Sequence, residues 1–317
     1  NAKSSFRLSI STGLVHSPFR PGHQICPAMS KRVALVCAAA LASLSGAVPA
    51  APVVLVTGAT GRTGALLYGL FKEKGVNVRA FVRNATKAKE VLGCSKCDES
   101  EGIYIGYLTD QDVVDKAVQG TTALAVVTSA VPLCPPGAPD PSKCYYPKGA
   151  YPVDIDFHGG KAQFKAFAKA SKGGHIVLCS STGTTDPDNF LDKLGNGFIS
   201  FYKLNEEAFL MSSGLPYTIV KPCGLLDTPA ATNELVVGHD DETKLNPPTI
   251  SRADVARVMF EAVMQPDKAS NLRFDLCSKS GPATTDISKV FEAAKYPWQQ
   301  AHEQAAFGLD ASARLSR

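Results

Sequence analysis

A doubly wound parallel α/β sheet is the fold class predicted by two features of the sequence. The first is an apolar strand, Val53 to Val56, that runs through Gly58-x-x-Gly61-x-x-Gly64 straight into the helical pattern Ala65 to Phe71. The second is the regular alternation of short β-branched runs with helical runs that follows, the pattern of strand–helix–strand units whose strands lie parallel. A hydrophobic fraction of 44% is ample for the core that such a sheet needs.

The first unit carries the chemistry. Glycine at 58, 61 and 64 permits a sharp turn, a close approach of backbone to a pyrophosphate and tight packing of helix on strand. The helix that follows offers free N–H groups and the positive end of its dipole to phosphates. Gly58, Thr60, Gly61, Arg62, Thr63 and Gly64 are therefore candidate cofactor-binding residues, and the arrangement is Rossmann-like.

Val76 to Val82 reads as the second strand, in a window of strand–helix–strand size. Its end meets the adenosine ribose in such folds, where NAD selects a carboxylate. Here the chain continues Arg83-Asn84-Ala85-Thr86-Lys87 with no acid. Arg83 and Lys87 can clamp a 2′-phosphate by charge-assisted bonds, and Arg62 is expected to point to the same place. The cofactor predicted is NADP(H).

Ile103 to Gly106 is a third strand and Asp110 to Val118 a helix. Asp110 reads foremost as the cap of that helix and is retained as a cofactor-binding candidate. Ala123 to Val127 is a fourth strand, and Ser129 at its end faces the nicotinamide side. Seven prolines between 131 and 152 make that stretch a loop, a lid or a partner surface. Ile155 to Lys172 reads as one long helix with Phe157, Phe164 and Phe167 on its apolar side, and His158 as a surface or packing histidine. His175 to Cys179 is a fifth strand followed by Ser180 and Ser181. Phe198 to Ser213 is a helix carrying Tyr202, Lys203 and Glu207, and Tyr217 to Pro222 a sixth strand. Ile250 to Ala256 opens another helix, with Ser251 and Asp254 capping it reciprocally. Leu272 to Leu276 is a late strand, and Ile287 to Lys295 a final helix.

The net charge of +4 is uneven. Residues 1–50 hold Lys3, Arg7, Arg20, Lys31 and Arg32 and no acid, so +4 less +5 leaves −1 for the remainder. That body has no electrostatic footprint for nucleic acid. Residues 1–51 read as a leader, with Met29-Ser30-Lys31-Arg32 ahead of an apolar run from Val33 that is too short for a strong membrane span. Plastid import is the leading destination, with the secretory pathway or cytoplasm as alternatives. Residues 52–296 form the NAD(P)-binding domain with a small C-terminal substrate-side extension, and 297–317 a loosely held tail. Nine cysteines without regular spacing do not make the disulfide framework of a small secreted domain. Cys94-x-x-Cys97 lacks a second pair, so no metal site is assigned, although a thiol switch fits there. Cys179 and Cys223 read as small buried hydrophobes.

Together these residues resemble the atypical short-chain dehydrogenase/reductases, more closely the NmrA-like NAD(P)-binding proteins of plants and algae, from about Val53 to Lys295. The motifs are Val56 to Gly64, Lys203 with Glu207, Gly214 to Pro222, Ile250 to Ala256 and Phe274-Asp275. The resemblance implies that Ser180 or Ser181 lies beside the nicotinamide and that Lys203 bonds its ribose; a pairing of Lys203 with Glu207 one turn on is the alternative. It implies an acid tyrosine four residues before that lysine, where this chain has Ile199. The activity expected is hydride transfer to a small planar acceptor that solvent can protonate, such as a quinone or flavin. The alternative is a non-catalytic NADPH-binding sensor or assembly factor with protein partners in a plastid complex. An isomerase or epimerase acting on a nucleotide sugar is a weaker third reading, because that chemistry usually needs the tyrosine.

Overall fold

The computed structural model describes residues 52–300 apart from 138–139. Six parallel strands, β1 (Val53–Thr57), β2 (Asn77–Val82), β3 (Ile103–Ile105), β4 (Ala123–Val126), β5 (His175–Cys179) and β6 (Tyr217–Pro222), lie in the order 3-2-1-4-5-6. That order defines a doubly wound sheet, as the sequence predicts. The interposed helices are α1 (Arg62–Glu73), α2 (Ala85–Leu92), α3 (Gln111–Val118), α4 (Gly159–Ala170) and α5 (Ile199–Ser212). Beyond β6 come β7 (Gly224–Leu226), β8 (Glu234–Gly238), β9 (Thr249–Ser251), α6 (Arg252–Met264), α7 (Pro266–Ala269), β10 (Leu272–Lys279) and α8 (Ser288–Ala293).

Strand β10 extends the sheet parallel to β6, β8 and β9 pair antiparallel with β10, and β7 pairs with β9. Strands β7, β8 and β9 make the C-terminal extension and escape a sequence reading, since two of them have only three residues. The apolar alternation on both faces of the sheet feeds two cores. On one, α1 and α6 cross with Phe71 against Phe260, ring centroids 5.0 Å apart. On the other, Phe164 and Phe167 of α4 and Leu210 of α5 are buried against Leu124, Ile176 and Ile219.

The helix expected from Ile155 begins as a π-helix, Val153–His158, and becomes α4 only at Gly159. A π turn takes in an extra residue, so the side-chain phase slips. Phe157, seven residues before Phe164, is therefore only half-buried, and Asp156 turns inward instead, with no exposure.

Cysteine chemistry also differs from expectation. Cys223 is not a free thiol: Pro222 and Leu276 are register partners on β6 and β10, and the next residue of each chain, Cys223 and Cys277, forms a disulfide. Cys94 is bonded to Cys97, and Cys134 to Cys144 beside the Leu133–Tyr145 bridge that cinches the proline-rich loop. Cys179 is buried and free. The leader lies outside the described residues, as does the tail from 301 on. Residues 297–300 are helical, and Trp298 stacks on Tyr296. Among the described residues no helix is long and apolar enough to cross a membrane.

Candidate functional site

Because β1, β2, β4, β5 and β6 are parallel, the loops leaving their C-terminal ends converge on one edge of the sheet, where a doubly wound fold binds its ligand. A cleft of about 510 Å³ opens there. Gly58, Thr60, Gly61, Arg62, Thr63, Gly64, Arg83, Lys87, Ser129, Ser180, Ser181 and Lys203 all line it. Asp110 does not. Its carboxylate accepts from the Val113 N–H and caps α3, and it falls outside the lining set.

The glycine loop fits a dinucleotide diphosphate on its own geometry. Gly58 has φ +71°, and a Cβ there would lie 2.8 Å from the Val127 carbonyl oxygen. A Cβ on Gly64 would sit 2.2 Å from the Gly58 carbonyl oxygen, so any side chain at 64 forces the loop open. Helix α1 begins at Arg62 with no side-chain cap and no acid in its first turn. Its amide groups are thus left to a ligand anion.

Past β2, Arg83 is exposed and Lys87 lies one turn into α2, whose cap is Asn84. No carboxylate pairs with either cation among the described residues. Arg62 does not join them. Its guanidinium pairs with Asp227, just past β7, and Arg252 Nη1 reaches the same carboxylate at 2.8 Å. Strands β2 and β7 lie on opposite sides of β1, so Arg62 faces away from Arg83 and Lys87.

The inner half of the cleft is a buried charge cluster. Lys203 is 5% exposed and its Nζ lies 2.8 Å from Asp156 Oδ1; Asp156 Oδ2 accepts from the Ala130 N–H at 2.9 Å. Burial opposes the Lys203 charge, but Asp156 and Glu206 outweigh it and hold the ammonium above its usual range. Lys203 does not pair with Glu207. Glu207 accepts from the Ser180 hydroxyl and, at 2.9 Å, from Arg273 Nε, and Arg273 Nη1 reaches Asp240 at 2.7 Å. Ser181 is half-buried and donates to the Thr182 carbonyl.

Glu206 is buried, and neither of its carboxyl oxygens has a hydrogen-bond partner. Burial pushes its carboxyl well above the usual range, Lys203 pulls the other way, and Asp156 and Glu207 add to the rise. Gly160 leaves room for this group: a Cβ there would meet Glu206 Oε1 at 2.3 Å. Ile199 lines the cleft where the superfamily tyrosine is expected. Sequence reasoning missed Asp156, Glu206, Arg273, Asp227 and Arg252. Arg252 stands inside a motif run and was the one within reach of it.

This fold with this loop defines a dinucleotide-binding protein. Residues 58–266 match the model of the NAD(P)H-binding family, and the chain belongs to that family of oxidoreductases. NADP(H), the cofactor expected from the sequence, lies within what the family binds. An uncharacterized chloroplastic protein of Arabidopsis thaliana is 39% identical over 249 residues, 75% of this chain and 74% of that one. The sanguinarine reductase of Eschscholzia californica is 34% identical over 276 residues, 77% of this chain and 97% of its own. The chloroplastic protein TIC 62 of rice (Oryza sativa subsp. japonica) is 30% identical over 223 residues, 68% of this chain but 44% of its own length. Among solved structures, a Lactococcus lactis oxidoreductase shares the fold at TM-score 0.54 and 17% identity, with 76% of this chain and 95% of that one covered. A wide-type short-chain dehydrogenase/reductase from Veillonella parvula in complex with NADP shares it at 0.51 and 14%, with 74% and 97% covered.

Proposed function

We propose that the protein is an NADPH-dependent reductase of a small planar acceptor and that it works in the plastid. The observation that carries this reading is a single cleft with phosphate-binding loop and unpaired Arg83 and Lys87 at one end and Lys203, Ser180 and an apolar wall of Ile155 and Ile199 at the other. The sanguinarine reductase match, over nearly all of that enzyme, supports a conjugated acceptor, and the chloroplastic relatives support the compartment.

The cofactor, when bound, supplies the hydride. The chain's own residues do the rest. The glycine loop and the α1 amides hold the diphosphate, while Arg83 and Lys87 select the 2′-phosphate. Lys203, kept charged and immobile by Asp156, bonds the nicotinamide ribose and fixes the ring against the acceptor. Glu207 accepts the Ser180 hydroxyl proton in a hydrogen bond and so orients that hydroxyl at the wall of the cleft. Because Ile199 offers no proton, the acceptor class is one that water can protonate after reduction, which excludes simple ketones as good substrates.

Absorbance loss at the NADPH band on addition of a quinone, flavin or sanguinarine checks the proposal. Bound NADPH that survives the whole panel contradicts it and turns the reading to a cofactor-sensing assembly factor. The TIC 62 likeness and the exposed Val131, Leu133 and Tyr145 of the proline-rich loop favour that second reading.

A further inference from the structure

Asp227 lies just past β7 and receives two guanidinium groups, Arg62 from the glycine loop and Arg252 from the first position of α6. Hydrogen bonds from both, that of Arg62 foremost, hold its carboxyl below the usual range. Arg252 is itself anchored, its side chain 11% exposed and its Nη1 donating to the Leu225 carbonyl at 3.1 Å. The loop that carries Asp227 is fastened to the same helix end. Ser251 donates to the Thr228 carbonyl, and Asp254 accepts from the Ala231 N–H at 2.9 Å and from Arg257 at 2.6 Å. The Asp227 carboxylate therefore joins the glycine-loop wall to the α6 wall, and Arg62 and Arg252 both line the cleft.

Two guanidiniums converging on one anion beside an uncapped helix start is the chemistry of a phosphate clamp. An internal carboxylate in such a clamp is a competitor for the ligand's anion. We propose that Arg62 and Arg252 grip the cofactor's diphosphate and that Asp227 is an internal stand-in, displaced when the cofactor binds. This rests on the cofactor reading above and adds Arg252 and Asp227 to it. It also separates two anion sites: Arg62 and Arg252 for the diphosphate that NADH and NADPH share, Arg83 and Lys87 for the 2′-phosphate that only NADPH carries.

The test is a fluorescence titration of NADPH, NADH and 2′-AMP, which has a 2′-phosphate but no diphosphate. The proteins are the full chain, Asp227→Asn, Arg252→Met and Arg83→Met, each checked for an unchanged melting profile. Asp227→Asn tightens NADPH and NADH alike by about threefold, the scale of an exposed ion pair lost to the free state. Arg252→Met weakens both by about tenfold. Neither moves 2′-AMP, whereas Arg83→Met weakens NADPH and 2′-AMP and spares NADH. Affinity unchanged or lowered in Asp227→Asn overturns the clamp, as does a 2′-AMP loss in Arg252→Met as large as that for NADPH. A full chain that binds neither dinucleotide refutes the cofactor reading and the clamp with it, while normal binding with unmoved variants refutes the clamp alone.

Discussion

The two ends of the cleft solve opposite electrostatic problems. At the outer end, Arg83 and Lys87 stand exposed with no carboxylate paired to either among the described residues, which on the proposed reading leaves them to the anion of the ligand. At the inner end, Asp156, Glu207, Lys203 and Arg273 are all at least nine-tenths buried, and the protein supplies its own counter-charges. Exposed cations cost little to keep unpaired and give selectivity. Buried ones must be paired, and pairing makes them rigid. On the proposed reading, recognition and positioning are thus divided between the halves.

The sharpest way to break the outer half is steric. Gly64→Ala puts a methyl 2.2 Å from the Gly58 carbonyl oxygen and should weaken NADPH binding about a hundredfold, near 3 kcal/mol, in a titration. The inner half breaks through charge. Lys203→Met strands Asp156 and should cost about 3–5 kcal/mol in urea unfolding, with much of it regained in Lys203→Met/Asp156→Asn. A smaller effect tests the division itself: Arg83→Met should cost about tenfold in NADPH affinity and leave NADH and the melting profile unmoved.

The smallest effect concerns Glu206. Burial holds its folded-state pKa above the unfolded value near 4.5, so as pH rises past that value the unfolded state gives up its proton before the folded state does. The stability that Glu206 contributes is present below that pH and declines as pH rises toward the folded value. Glu206→Gln should therefore melt progressively higher than the parent as pH is raised from 4.5. A pH-independent difference would mean that Glu206 is ionised in the fold.

The outer wall of the cleft was legible in the sequence because it is built from short contiguous stretches: the glycines at 58, 61 and 64, and the cations without an acid after β2. The six parallel strands were legible for the same reason, as uninterrupted apolar runs. The inner half was not. Ser180 and Glu207 are 27 residues apart and Glu207 and Arg273 66, and no local spacing announces such partners. Asp156 was hidden further, since a helical period of 3.6 turns Phe157 inward and the π turn presents Asp156 instead. Lys203 lines the cleft, and its acidic neighbour is Asp156 and not the Glu207 of the alternative reading, because i, i+4 spacing on α5 says nothing about the residue arriving from the π-helix. Cys223 and Cys277, 54 residues apart, became partners only through the β6–β10 register.

The central claim is that the outer half delivers NADPH to a chemically competent inner half. A single-turnover experiment tests it most directly: the full chain loaded with stoichiometric NADPH, mixed with sanguinarine or a quinone, and followed at the NADPH band. The account predicts loss of the band in one exponential for the full chain. It predicts a markedly slower phase for Lys203→Arg, which keeps the charge but shifts the contact to the ribose. A band that persists in the full chain with NADPH demonstrably bound would contradict it.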